Sequence, residues 1–214
     1  MKKIYFVRHG QSEGNIGNIR QTKDTSLTDT GIVQAGFLAT RVMSLPIEKV
    51  ICSTMSRATE TIKIICEKVT KEIEYSDLFV ERRRPSVQYD IPKDDPIAIE
   101  SERLMRENFA TNLEYHYSDE ENFLDLKMRA EKALQFLIHL PEENILVVTH
   151  GYILKVIVAY ALFGENLTAN ECESFIKSLQ MHNTGITLLS YKEDSLNNKW
   201  NMVTWNDVSH LEDL

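Results

Sequence analysis

Two short apolar runs, each closed by a His-Gly pair, constrain this chain more than any other feature. Ile4-Tyr5-Phe6-Val7 stops at Arg8-His9-Gly10, and Ile145-Leu146-Val147-Val148 stops at Thr149-His150-Gly151. Short runs rich in β-branched and aromatic side chains, bounded by glycine, read as buried strands. In open α/β sheets ligands bind beyond the carboxyl ends of the strands. Both histidines therefore stand where a ligand would be met. The glycine after each lets the backbone approach closely, and free N–H groups there favour an anion.

The rest of the chain alternates strand and helix patterns. Ile32, Ala35, Leu38, Ala39, Val42 and Met43 repeat at helical spacing behind the capping stretch Leu27–Gly31. Val50–Cys52 reads as a strand, and Ala58, Ile62, Ile65, Cys66 and Val69 as a second helical stripe. Phe123, Leu126, Ala130, Leu134 and Leu137 form a core helix face, and Ile153–Phe163 is a largely apolar helix. Gly185–Tyr191 and Lys199–Trp205 alternate like strands around the turn-rich Asp194–Asn198, which suggests a hairpin. Trp200 and Trp205 lie at opposite parity, so one of them is expected to face inward. This alternation predicts an α/β fold, a three-layer α/β/α sandwich with a mostly parallel central sheet. Residues 1–214 read as a single domain. Residues 80–128 break the rhythm, with Pro85, Pro92 and Pro96 and a polar helical pattern around Ile99–Glu114. Within them, 82–125 reads as an inserted helical cap.

Charge is informative once it is located. The net charge of −8 lies entirely in residues 94–125, which hold ten acids against two bases. Such a chain is not expected to grip nucleic acid or an anionic membrane. The acidic cap would select against highly anionic substrates or simply face solvent. Cys52, Cys66 and Cys172 are scattered, with no CxxC spacing, so no disulfide framework and no zinc site is indicated. No HxH or HExxH spacing points to a metal, and no cofactor is expected. The four-residue apolar run near the start is too short for a signal peptide, and no run approaches a membrane span. The expectation is a cytoplasmic protein; no feature fixes its oligomeric state.

Arginines sharpen the anion reading. Arg8 adjoins His9, and Arg57 follows the Val50–Cys52 strand at the start of a helix. A guanidinium pairs two donors with phosphate oxygens, so arginines at strand ends suggest phosphate. At this point the residues carry a resemblance. Arg8-His9-Gly10-Gln11-Ser12-Glu13-Gly14-Asn15 resembles the RHG signature of the histidine phosphatase superfamily, which includes the cofactor-dependent phosphoglycerate mutases. Further segments are similar in order along nearly the whole chain: Asp24–Gly31, Ser53–Thr61, Glu121–Arg129, Val147–Gly151 and Asn183–Thr187.

The resemblance implies a phosphomonoester phosphatase working through a phosphohistidine on His9, without a metal. It implies that Arg8, Arg57 and His150 surround the phosphoryl oxygens, with His150 most helpful if protonated. Asn15 and the Gly151 N–H are implied as further donors, and Gln21 as a substrate contact. The implied proton donor to the leaving group is Glu81, with Asp77 and Asp90 as rivals. Arg82-Arg83-Arg84 either contacts an anionic substrate or lies on a solvated loop. His116, His139, His182 and His210 match no motif and are expected to be structural or exposed. The implied partner is a small phosphorylated molecule. A phosphoglycerate mutase and a non-catalytic binding protein on the same fold are the competing readings.

Overall fold

The computed structural model describes residues 1–195 and 198–211. Its centre is a six-stranded sheet in the order β3-β2-β4-β1-β5-β6. The strands are β1 (Lys2–Arg8), β2 (Lys49–Cys52), β3 (Ile73–Tyr75), β4 (Asn144–Thr149), β5 (Ile186–Tyr191) and β6 (Trp200–Asp207). The first four are parallel, and β5 and β6 extend the sheet antiparallel. The two apolar runs are adjacent: Phe6 pairs with Val147 and Arg8 with Thr149, so the two His-Gly segments emerge side by side.

Pleating sends alternate residues to opposite faces. Ile4 and Phe6 pack with α5 (Phe123–His139) and α6 (Gly151–Phe163). Tyr5 and Val7 pack with α2 (Asp29–Val42) and α3 (Ser56–Cys66). The result is the expected three-layer sandwich. The expected face of α5 is the buried one, with Leu126, Ala130 and Leu137 fully enclosed. The other α-helices among the described residues are α1 (Glu13–Ile16), α4 (Pro96–Asn108) and α7 (Ala169–Ser178).

The structure departs from the sequence pattern in four places. Strand β3 was not expected: it has three residues and no apolar run, and its pairing with β2 holds it. Helix α4 starts at Pro96, with the Asp95 carboxylate accepting the Ile97 N–H, and stops at Asn108 rather than Glu114. Phe123–Asp125, the end of the segment 82–125, is the first turn of core helix α5, closed by an Asn122–Asp125 capping box. Both tryptophans pack on the same core cluster, against the parity expectation. The register explains this: Leu189 faces Met202 but Leu188 faces Thr204, so one extra β6 residue sits between them. A bulge of this kind flips the parity of everything beyond it. The Asp194–Asn198 turn falls partly outside the described residues.

Leu137 is fully buried between α5 and the sheet. Leu137→Ala is expected to lower unfolding free energy by about 2–5 kcal/mol, read from the urea midpoint. A change below about 0.5 kcal/mol would contradict the core assignment.

Candidate active site

His9 sits where β1 ends, 2% exposed. Its backbone N–H donates to the Thr149 carbonyl at 3.0 Å, tying the first His-Gly to the second. Its Nδ1 lies 2.6 Å from the Gly10 carbonyl oxygen, which can only accept. Nδ1 therefore carries the ring proton and Nε2 carries a lone pair. The Arg57 Nε–H donates to that lone pair at 3.1 Å, which agrees with this tautomer. Burial, then the charges of Arg57 and Arg8, hold the His9 pKa well below the usual imidazole range. The ring is neutral, with one nitrogen available to attack.

The loop after His9 is fixed by close packing. A Cβ on Gly10 would lie 2.5 Å from the Gly31 carbonyl oxygen, so only glycine fits. The Gly10 N–H donates to Thr61 Oγ1 of α3 at 3.0 Å. Thr28 caps α2 by accepting the Gly31 N–H, and its hydroxyl donates to the Gln11 side chain at 2.9 Å. The Leu27–Gly31 stretch thus anchors the nucleophile loop as well as starting a helix.

Arg57 is 2% exposed, and burial pushes its pKa down to about 10, which leaves it charged at neutral pH. Its Nη1 donates to the Thr22 carbonyl at 3.0 Å. Arg8 donates from Nη1 to the Met181 carbonyl, while its buried Nε has no partner among the described residues. Asn15 turns its amide oxygen to three donors, the Ser12 N–H, the Ser12 hydroxyl and Asn183 Nδ2, at 3.0, 3.0 and 3.2 Å. Its NH2 is left free at the cleft.

His150 is completely buried, 5.0 Å from His9 between ring centroids. Its Nε2 is 2.7 Å from Ser53 Oγ, and its buried Nδ1 has no partner among the described residues. Burial and the neighbouring Arg57, His9 and Arg8 push its pKa well down, so it is neutral in the free protein. The protonated form, in which His150 would help most, is disfavoured by these surroundings.

Glu81 lies over the N-terminus of α6. Its carboxylate accepts the N–H groups of Arg82, Tyr152 and Ile153 at 2.9, 3.2 and 3.0 Å. The loop carrying it is pinned by Arg129, which donates to the Val80 carbonyl at 2.6 Å and pairs with both oxygens of Glu121 at 2.7 Å. Glu81 is the carboxylate whose field acts on both Arg8 and Arg57. Of its rivals, Asp77 accepts the Thr54 hydroxyl at 2.6 Å and Asp90 is exposed.

These groups meet in a cleft of about 840 Å³. Arg8, His9, Asn15, Gln21, Arg57 and Glu81 line it, together with Arg82–Arg84, Asp77 and Asp90. Gln21 packs on bare Gly14, where a Cβ would collide with its Cγ. His150 and Gly151 do not line the cleft; they stand behind His9 and Arg8. Among the described residues, no group of three His, Cys, Asp or Glu side chains is arranged to hold a metal. No described helix is long and apolar enough to cross a membrane.

Sequence reasoning passed over the residues that hold these groups in place. Asn183 donates from Nδ2 to the His9 carbonyl at 2.9 Å as well as to Asn15. Thr184, at φ 60°, donates its N–H to the Arg8 carbonyl at 2.9 Å. Ser53 orients His150. All three fall inside segments that carried the resemblance, yet their roles depend on contacts across the sheet. Of the four histidines without a motif, His116 pairs with Asp125 at 2.7 Å near the surface. His210 is half-buried, 3.1 Å from the Thr184 hydroxyl.

The two buried histidines make stability depend on pH. Unfolded, each titrates near 6.5; folded, each titrates well below that. Below about 6.5 the unfolded chain binds more protons, so stability present above that pH is lost as pH falls. The urea midpoint is expected to drop from pH 7.5 to 5.5, and to drop less in His150→Gln. Equal drops in both proteins would contradict the assignment.

Comparisons with known proteins agree with this geometry. The family model for the histidine phosphatase superfamily (branch 1) matches residues 4–208. A probable phosphatase of Schizosaccharomyces pombe is 30% identical, over 98% of this chain and 95% of its own. A probable phosphoglycerate mutase, GpmB of Proteus mirabilis, is 28% identical, over 100% of this chain and 97% of its own. Among solved structures, Bacillus stearothermophilus YhfR superposes with a TM-score of 0.81 at 24% identity, covering 99% of this chain and all of that one. With its two His-Gly strand ends paired and nearly its whole length matched, the chain belongs to the histidine phosphatase superfamily.

Proposed function

We propose that the protein is a phosphomonoester phosphatase that works through a phosphohistidine on His9 and needs no metal. The observation that carries this reading is the neutral His9, with its Nε2 lone pair facing Arg57. A phosphate entering the cleft takes over the Arg57 donors, and Nε2 attacks phosphorus opposite the leaving oxygen. The P–O bond to the alcohol breaks as the N–P bond forms. A proton from the Glu81 carboxyl goes to the leaving alkoxide. Glu81 then takes a proton from water, whose oxygen attacks phosphorus and releases inorganic phosphate and free His9.

Arg8, Arg57 and the free amide of Asn15 supply the positive charge and donors that the spread phosphoryl charge needs. His150 stands behind His9, neutral in the free site, and a bound phosphate dianion favours its protonation. We read it as an acid-type phosphatase, since burial and the charges of Arg57 and Arg8 disfavour protonation of His9. Residues 82–122 act as a cap on the single domain 1–214, and several of them line one side of the cleft. The partner is a small phosphorylated molecule, with no role for nucleic acid or membrane. A cytoplasmic location is part of the reading, supported by three free cysteines.

Phosphate release from a panel of phosphomonoesters, with EDTA present, tests the reading. Turnover that disappears in His9→Ala supports it; isomerisation of a phosphoglycerate without phosphate release would establish the mutase instead, and strong EDTA inhibition would overturn the metal-free mechanism. Glu81→Gln should lower kcat about 10²–10⁴-fold on alkyl phosphates. It should cost far less on p-nitrophenyl phosphate, whose leaving group needs no proton. Equal losses on both would remove Glu81 from the proton-donor role.

A further inference from the structure

The turn 181–185, just ahead of β5, grips Arg8, His9 and Asn15 at once. Its Met181 carbonyl accepts from Arg8 Nη1 at 2.5 Å, and its Thr184 N–H donates to the Arg8 carbonyl at 2.9 Å. Asn183 Nδ2 reaches the His9 carbonyl at 2.9 Å and Asn15 Oδ1 at 3.2 Å. The Arg8 guanidinium and the Arg8 backbone are thus held by the same turn. Thr184 is fully buried and β-branched, yet it sits at φ 60°. A β-branched residue in the left-handed region costs free energy and persists only where its surroundings hold it.

What holds it is a 3-10 turn beyond β6, Ser209–Leu211. The Thr184 hydroxyl donates to the Asn183 carbonyl at 2.7 Å, since that carbonyl can only accept. The hydroxyl oxygen therefore accepts from His210 Nε2–H, at 3.1 Å. This puts the His210 ring proton on Nε2 and leaves the buried Nδ1 without a partner among the described residues. Burial lowers the His210 pKa, in keeping with a neutral ring. Asn206, near the end of β6, adds a second grip, its Oδ1 accepting the His182 N–H at 2.9 Å. The 3-10 turn is itself fixed. The Ser209 N–H donates to Asp207 Oδ1 at 2.9 Å, and Asp207 lies 3.9 Å from Arg41 of α2. An apolar side chain at 210 would cover the same surface without stranding a ring nitrogen. Packing alone would favour one; the histidine supplies a donor that none could.

We propose that His210 is a positioning residue for anion binding beside His9: its Nε2–H sets the Thr184 hydroxyl, and through the turn 181–185 it fixes where the Arg8 guanidinium points. The proposal rests on the phosphatase reading in taking phosphate as the ligand of Arg8. His210 does not line the cleft, so it touches nothing bound there. Thr184 is the relay, because it contacts both His210 and the Arg8 backbone.

Calorimetry with inorganic phosphate tests this, beside urea unfolding of each variant. His210→Leu fills the space without a donor, and Thr184→Val keeps the β-branch without the acceptor. Each should raise the phosphate Kd about five-fold or more. The double variant should lose no more than the worse single one, because both remove the same bond. His210→Gln, whose amide can reach the Nε2 position, should stay within about two-fold of the wild type. If His210→Leu does not fold, His210→Asn, too short to place its amide at Nε2, is read by the same criterion. A role in packing alone moves the urea midpoint and leaves the Kd of the folded protein unchanged. That result, an equal loss in His210→Gln, or additive losses in the double variant overturns the proposal and leaves the phosphatase reading intact. If the wild type binds no phosphate, His210 is judged by water exchange of the Arg8 Nε–H signal in NMR, assigned by its loss in Arg8→Gln. Exchange about five-fold faster in His210→Leu supports the positioning role, and an unchanged rate overturns it. The phosphatase reading itself falls only if no monoester is hydrolysed.

Discussion

The hydrogen bond from His9 Nδ1 to the Gly10 carbonyl decides what this site can do. An imidazole has two nitrogens, and only the one without the proton can attack phosphorus. Donating Nδ1–H to a carbonyl leaves the lone pair on Nε2, where Arg57 meets it. That bond exists only because the loop after β1 turns its Gly10 carbonyl back over the ring. Thr61 holds the Gly10 N–H, and the bare Gly10 and Gly31 allow α2 to pack against the loop. Much of the order around β1, from the Thr28 cap to the Asn183 bond on the His9 carbonyl, keeps this geometry in place.

Electrostatics work in the same direction. His9 and His150 lie buried beside two arginines that repel any proton on either ring. The free site is thus a pair of neutral imidazoles facing fixed positive charge, a combination suited to receive a phosphate dianion. Stability is spent on this arrangement, since burying Arg57 and leaving Arg8 Nε and His150 Nδ1 unpartnered each costs free energy. Such local cost at a cleft is what a site kept ready for a ligand looks like.

Much of this was legible before any coordinates. Ile4–Val7 and Ile145–Val148 are buried on both faces, so composition alone marked them, and the sheet follows from pairing them. His9, Arg8 and Arg57 stand at strand ends or a helix start where a local pattern could flag them, whereas Glu81 was reached only through the family resemblance. Asn183, Thr184 and Ser53 could not be flagged with a role, because each acts on a partner more than 90 residues away in sequence. The β6 bulge that puts Trp200 and Trp205 on one face has no local signature either.

The tautomer of His9 is the most direct measurement of the whole account. Nitrogen NMR of imidazole-labelled protein at pH 7, with the His9 signals assigned by their loss in His9→Gln, reads it without any substrate. The expected spectrum is a neutral ring with the proton on Nδ1 and an unprotonated Nε2. A doubly protonated ring, or a proton on Nε2, would contradict the account, because the nitrogen facing Arg57 would then have no lone pair with which to attack.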